Sequence, residues 1–340
     1  MYGNDNGREA PPAYGTLTDD HARRFRDKFD ELVKTVEESV VGPPELTHLA
    51  MVCVAAEGHL LVEGYPGVGK TRLASAMAAA FGGVMRRIQF TPDLMPADVT
   101  GSDVLDHDNR ATFQRGPIFA NVVLADEINR ASPKTQAALL EVMQERQVSS
   151  GTGTYRVEPP FIVLATQNPA DFAGTYELPE AEIDRFMMRL TIDYPESPAD
   201  EVAILTTNLE QPPPPSRPDD QPILDPEIIN MIGCARAVTV EPNIRAFIAD
   251  LVRATRVRRR DVRLGVSPRG GLMLARAAQA HALAQNRTFV ADDDVVRVAS
   301  PVLEHRILLG APPEDSATTA RDVLHEILDA ARPPRGRRRR

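Results

Sequence analysis

The stretch LLVEGYPGVGKTRLA, residues 60–74, passes from an apolar, β-prone run through three glycines and a proline to Lys70 and Thr71, then resumes with helix-forming residues. Few folds accommodate that order. A strand that ends in GxxxxGK[ST] and restarts as a helix makes a tight turn whose backbone N–H groups converge, and the helix start adds partial positive charge there. Such a turn is suited to phosphate. Gly64, Pro66, Gly67, Val68, Gly69, Lys70, Thr71 and Arg72 are therefore the candidate nucleotide-binding residues, with ATP and Mg²⁺ as the implied cofactors. Lys70 would pair with the β- and γ-phosphates and Thr71 would ligate the metal.

From about residue 25 to 197, short apolar runs (60–64, 86–90, 121–126 and 160–166) alternate with helical segments such as TRLASAMAAAFG and SPKTQAALLEVMQE. That alternation predicts an α/β domain, a parallel sheet flanked by helices. Residues 1–24 are polar and rich in Gly and Pro, and read as a disordered arm. Four consecutive prolines mark 198–225 as an extended linker. Over 226–332 the periodicity is helical only, which predicts a small all-α lid, and 333–340 form an Arg-rich tail.

Four further signals follow in chain order. The run Val122–Asp126 ends in two acids, Asp126 and Glu127, and a buried strand should not end so unless something there balances the charge. In a nucleotide site Asp126 completes the metal shell and Glu127 accepts a proton from the attacking water. A second apolar run ends in Thr166-Gln167-Asn168, where Asn168 either orients that water or is an ordinary turn residue. Arg185, in Asp184-Arg185-Phe186, is either an arginine finger acting on a neighbouring subunit's phosphate or one half of an ion pair with Asp184 or Glu182. Ser267-Pro268-Arg269 opens a lid helix, with serine as N-cap and proline at the first position. Arg269 either meets the γ-phosphate across the interdomain cleft or is a surface charge.

Composition narrows the remaining choices. The net charge is −9 although the last six residues hold five arginines and no acid, so the body of the chain is a poor general binder of nucleic acid. Cys53 and Cys234 stand far apart with no histidine neighbourhood, suggesting neither a disulfide framework nor a zinc site. No apolar stretch approaches the ~18 residues that span a bilayer. Membrane insertion is not expected, and a cytoplasmic location is.

Taken together, "GHLLVEGYPGVGKTRLA", "QFTPDLMPADVTG", "RGPIFANVVLADEINRASPKTQAALLEVMQERQV", "FIVLATQNP", "YELPEAEIDRFMMRL" and "GVSPRGGLMLARAAQAHALAQNRTFVADDDV" resemble the MoxR family of AAA+ ATPases, over about residues 27–332. The resemblance implies Walker A at Gly64–Thr71, Walker B at Asp126 and Glu127, sensor 1 at Asn168, an arginine finger at Arg185 and sensor 2 at Arg269. It also implies a homo-oligomeric ring, commonly hexameric, that remodels or matures client proteins, including cofactor or metal insertion, with a separate von Willebrand factor A domain protein as partner. An insertion within 93–117 and a hairpin over 147–160 would face the pore. Gly270-Gly271 departs from the pattern as a weak helix start, so Arg269 is expected to be less rigidly aimed. Two other functions compete. One is a nucleic-acid motor, supported by the six arginines of RATRVRRRDVR (253–263); the other is a nucleotide-gated scaffold with little hydrolysis, which the intact acid pair argues against.

Overall fold

The computed structural model describes residues 17–105, 109–168, 176–195, 197–210, 224–257, 262–310 and 319–331. Helices α1 (Asp19–Glu37) and α2 (Pro44–Ala55) precede strand β1 (Leu60–Gly64), α3 (Lys70–Phe81) and β2 (Met85–Gln89). Next come α4 (Pro96–Thr100), a hairpin of β3 (Gly101–Leu105) and β4 (Ala111–Arg115), β5 (Val122–Asp126) and α5 (Pro133–Glu145). A second hairpin, β6 (Gln147–Ser150) and β7 (Gly153–Arg156), leads into β8 (Ile162–Gln167), α6 (Glu180–Ile183), β9 (Met188–Ile192) and α7 (Pro198–Glu210). The lid holds α8 (Pro226–Ala237), α9 (Pro242–Arg256), β10 (Val262–Leu264), α10 (Pro268–Ala284), α11 (Asp292–Leu303), β11 (Leu308–Leu309) and α12 (Ala320–Ala331).

Five strands pair in parallel in the order β2-β5-β8-β1-β9. Both faces of this sheet are covered, which is why its central strands read as unbroken apolar runs. Leu60 and Val62 join the cluster of α1, α2, α3 and the lid, whereas Leu61 packs with Val123, Val163 and the α5 residues Leu139 and Leu140 on the other face. From β1 the chain crosses to β2 at one edge, steps back through β5 and β8, and then passes over β1 to β9. The carboxyl ends of β1, β5 and β8 thus lie side by side where the strand order reverses, the place where open α/β sheets hold ligands.

Three expectations change. The arm expected over 1–24 gives way to helix at Asp19, where the side chain of Thr18 caps α1 and Asp19 and Asp20 favour the helix dipole. Residues 1–16 lie outside the described residues. The linker expected over 198–225 begins as α7: Pro198 suits a first turn, Asp200 and Glu201 follow it, and Ser197 Oγ accepts from Asp200 N at 3.2 Å. Its four prolines, at 212–215, lie outside the described residues, as does the tail from 332 onward. The lid, expected to be all-α, also contains the antiparallel pair β10–β11, whose strands are too short to show a period of two. No helix among the described residues is long and apolar enough to cross a membrane.

His59, at the entry to β1, holds the base of the sheet together. It is 6% exposed; its Nδ1 accepts from Val163 N at 2.9 Å, which leaves Nε2 to donate to the Met143 carbonyl at 3.2 Å. Burial lowers its pKa from 6.5 to about 4, with the Met143 bond acting in the opposite direction and the Arg146 charge in the same one. Between those two values the unfolded chain takes up a proton that the folded chain refuses, so this stabilisation is complete above pH 6.5 and lost as pH falls toward 4. We expect about 2 kcal/mol of stability to disappear between pH 7.5 and pH 5 from this residue alone. Denaturant unfolding of wild type and His59→Gln at both values checks it: the variant should show the shallower fall.

Candidate functional site

At Gly64 strand β1 runs so close to β9 that a Cβ would stand 2.5 Å from the Ile192 carbonyl oxygen. Tyr65 then stacks on Tyr194, ring centroids 4.8 Å apart, holding the first limb of the loop to the end of β9. Gly67 and Gly69 adopt φ of +85° and +93°, a region that other residues enter only with strain, and among the described residues nothing beyond their chain neighbours lies within 4 Å of where their Cβ atoms would be. Side chains there would project into the space over the loop. Helix α3 starts at Lys70 with no side-chain cap, so its first N–H groups face that space without a competing acceptor from a capping residue. Lys70 is half-buried and its Nζ donates to the Gly64 carbonyl at 2.7 Å. Burial lowers its pKa, while the charges of Asp126 and Glu127 work in the opposite direction.

Those two acids come from the end of β5, whose register sets Asp126 beside Gln89 of β2 and Ala125 beside Ala165 of β8. Thr166, fully buried on β8, donates to Asp126 Oδ1 at 2.6 Å and accepts from Glu127 N at 2.9 Å, so one hydroxyl orients both residues. Arg87 Nη2 reaches Asp126 Oδ2 at 2.6 Å. Glu127 leaves the strand at φ +55°, a left-handed conformation that costs a non-glycine residue on the order of 1–3 kcal/mol and recurs at functional sites. Its Oε2 accepts from Gln89 Nε2 at 3.0 Å and from Arg130 Nη1 at 2.9 Å.

Asn168 directly follows β8, between the ends of β1 and β5, and so shares one edge of the sheet with Lys70 and Asp126. Thr71 is exposed in the first turn of α3, Pro66 is exposed on the loop, and Val68 packs against the large apolar cluster. Arg72, in the first turn of α3, also makes contacts away from the loop. Its guanidinium donates to the carbonyls of Ser39 and Thr207, the latter at 3.2 Å, tying α3 to the segment after α1 and to α7.

Arg185 follows α6, with its Nε buried and without a hydrogen-bond partner among the described residues; Glu182 Oε2 is in the same condition. Burial raises the Glu182 pKa and the charge of Arg185 opposes it. The carboxylate of Asp184 is engaged by Ser267 and Arg306 instead. Arg269 is exposed in the first turn of α10, behind the N-cap Ser267, whose Oγ accepts from Gly270 N at 3.1 Å. Gly270 is not a loose start: a Cβ there would lie 2.5 Å from Val266 Cγ1 and 2.8 Å from Arg306 Cδ. The glycine lets α10 lie directly against the Arg306 side chain, and tertiary contact rather than helix propensity sets where Arg269 begins.

Comparison with known proteins agrees with this arrangement. Residues 59–188 match the family described as "ATPase family associated with various cellular activities (AAA)", and residues 253–327 match the AAA lid domain. The protein named Chaperone MoxR1 of Mycobacterium tuberculosis is 36% identical, over 96% of this chain and 86% of its own length. The chain belongs to the MoxR family of AAA+ ATPases. Protein MoxR of Paracoccus denitrificans is 34% identical over 93% of this chain and 96% of its own, and the Bacillus subtilis protein YeaC is 39% identical over 89% and 93%. A solved structure from Cytophaga hutchinsonii superposes with a TM-score of 0.80 at 34% identity, covering 91% of this chain and 96% of that one.

In this MoxR-family chain the supporting residues Thr166, Gln89, Arg87 and Arg130 were not singled out from the sequence. Thr166 left a trace, a hydroxyl closing an apolar strand two residues before Asn168. Gln89 and Arg87 left none, since their role depends on β2 lying next to β5. The segment 93–117 holds α4 and the β3–β4 hairpin, and the 147–160 segment holds β6–β7. Asp103 joins the two hairpins, its carboxylate accepting from Gly151 N at 2.8 Å and Thr152 Oγ1 at 2.6 Å, while Phe113 stacks on Tyr155. A cleft of about 490 Å³ opens at the amino end of the sheet, where Glu57 bridges Arg146 and Arg236. Lys70, Asp126 and Glu127 are not among its lining residues.

Proposed function

We propose that this MoxR-family chain hydrolyses Mg·ATP in an oligomeric ring and uses the energy to remodel or mature partner proteins. The observation that carries the reading is the convergence of a half-buried lysine, uncapped helix N–H groups and two carboxylates at one edge of the sheet. The residues fit the ligands. The two positive-φ glycines leave the loop open above, Lys70 supplies positive charge, and Thr71 and Asp126 would hold Mg²⁺, which when bound would neutralise charge on the β- and γ-phosphates. Glu127 would take the proton of the attacking water and Asn168 would hold that water in line. Arg185 would complete a neighbouring subunit's site, and Arg269 would contact the phosphate of its own. The two hairpins joined by Asp103 would engage the client, and a von Willebrand factor A protein is the partner that the family suggests.

Support for a nucleic-acid motor is weaker. Of the arginines in 253–263, Arg256 donates to the Val266 carbonyl at 2.6 Å and Arg263 pairs with Glu180 at 2.6 Å, while 258–261 lie outside the described residues. ATP turnover should therefore respond little to single-stranded DNA at low or moderate salt; strong, salt-sensitive stimulation would favour the motor. Lys70→Ala should weaken ATP binding about 100-fold, the loss expected when charge-assisted bonds to phosphate disappear. Titration with a fluorescent ATP analogue measures it, and wild-type affinity in that variant would count against the phosphate assignment.

A further inference from the structure

Asp184 stands next to Arg185 in sequence, yet its bonds run to the lid. Ser267 Oγ donates to its Oδ2 at 2.8 Å and Arg306 Nε to its Oδ1 at 2.8 Å. Arg306 is 5% exposed, and its Nη2 also donates to the backbone carbonyls of Asp184, at 3.1 Å, and Phe186, at 2.5 Å. One buried arginine of the lid therefore holds the backbone on both sides of Arg185. A second tie, Arg263 to Glu180, has both side chains exposed and constrains the segment far less.

Ser267 works in two directions. Its hydroxyl donates to Asp184, and the same oxygen accepts from Gly270 N to start α10, the helix whose first turn carries Arg269. A displacement of the α10 start is thus passed through one charge-assisted bond to the residue before Arg185. Arg185 has no bond at Nε among the described residues to resist it, and the charge it faces, Glu182, lies on the same short segment.

We propose that Asp184 is a positioning residue which, through Ser267 and Arg306, makes the placement of Arg185 follow the lid, so that the nucleotide held by one subunit governs how well that subunit completes its neighbour's site. This rests on the reading above, in which Arg269 contacts a subunit's own nucleotide and Arg185 acts on the next.

The test replaces the donor while keeping the helix cap. In Ser267→Asp the capping oxygen remains, since Asp and Ser cap comparably, but a second carboxylate meets Asp184; Ser267→Thr keeps both functions. Rings of Ser267→Asp should turn over ATP about 10-fold more slowly than wild type with ATP affinity within about two-fold, and Ser267→Thr should stay near wild type. Mixing in Glu127→Gln subunits, which lack the base but keep a well-placed Arg185, should raise turnover per Ser267→Asp subunit. A purely structural loss would not be rescued in this way.

Arg185→Ala mixed with Glu127→Gln is the control for action between subunits. Recovery in the control without recovery for Ser267→Asp overturns the positioning role alone. No recovery in the control removes the between-subunit reading and this inference with it. Wild-type turnover by Ser267→Asp also overturns the proposal. Should thermal melting show that variant unfolded, Ser267→Gly, which caps almost as well and has no donor, is read by the same mixing experiment.

Discussion

Glu127→Gln should bind ATP with nearly unchanged affinity and hydrolyse it about 10²–10⁴ times more slowly, the range expected for loss of a general base. The amide is the same size and its oxygen can still accept from Gln89 and Arg130, which both reach Glu127 Oε2. It cannot take up the proton of water. Because Thr166 bonds to the backbone N–H of Glu127 rather than to its side chain, the left-handed turn at this position survives the change. Measuring labelled ATP retained and phosphate released by the same preparation separates binding from turnover. Turnover within a few-fold of wild type would remove Glu127 as the base.

Arg185→Ala should lower turnover by about 10³–10⁵, the effect of removing an arginine finger, and leave the melting temperature close to that of wild type. The second expectation comes from the structure: Arg185 Nε has no hydrogen-bond partner among the described residues, so truncation breaks no bond at that atom, and Glu182, whose pKa burial already raises, can answer the lost charge by taking up a proton. A large drop in melting temperature would instead point to a role in folding. Arg185→Lys should restore little, since an ammonium lacks the planar fork that spans two phosphate oxygens. Wild-type activity should also fall on dilution as subunits separate. Full activity of a demonstrably monomeric preparation would end the case for action on a neighbour.

Some of this site is local in sequence and some is not. The loop from Gly64 to Thr71 could be read directly because strand, turn and helix start are consecutive, and the φ of Gly67 and Gly69 requires glycine wherever the rest of the chain goes. Asp126 and Glu127 were visible for a similar reason: two acids closing an apolar run conflict with burial unless a ligand or counter-charge is near. Thr166 was harder to recognise, since a buried threonine on a strand is unremarkable until the β5–β8 register brings its hydroxyl to Asp126. Gly270 has a reason that no local pattern carries. Helix propensity treats it as a defect, whereas the space it leaves is filled by the Arg306 side chain from 36 residues later.

The sequence alone determined that this chain builds a phosphate loop, a strand ending in two acids, an alternating α/β core and a helical lid, because each depends on neighbours within a few residues or on apolar periodicity. Tertiary structure decided which side chains hold those parts in place: the Thr166 hydroxyl between Asp126 and Glu127, Arg72 turned toward α7, and Arg306 clamped on Asp184. Such bonds join residues 39 to 135 positions apart, and a hydrogen bond of that kind follows from strand order and packing, which no local pattern encodes.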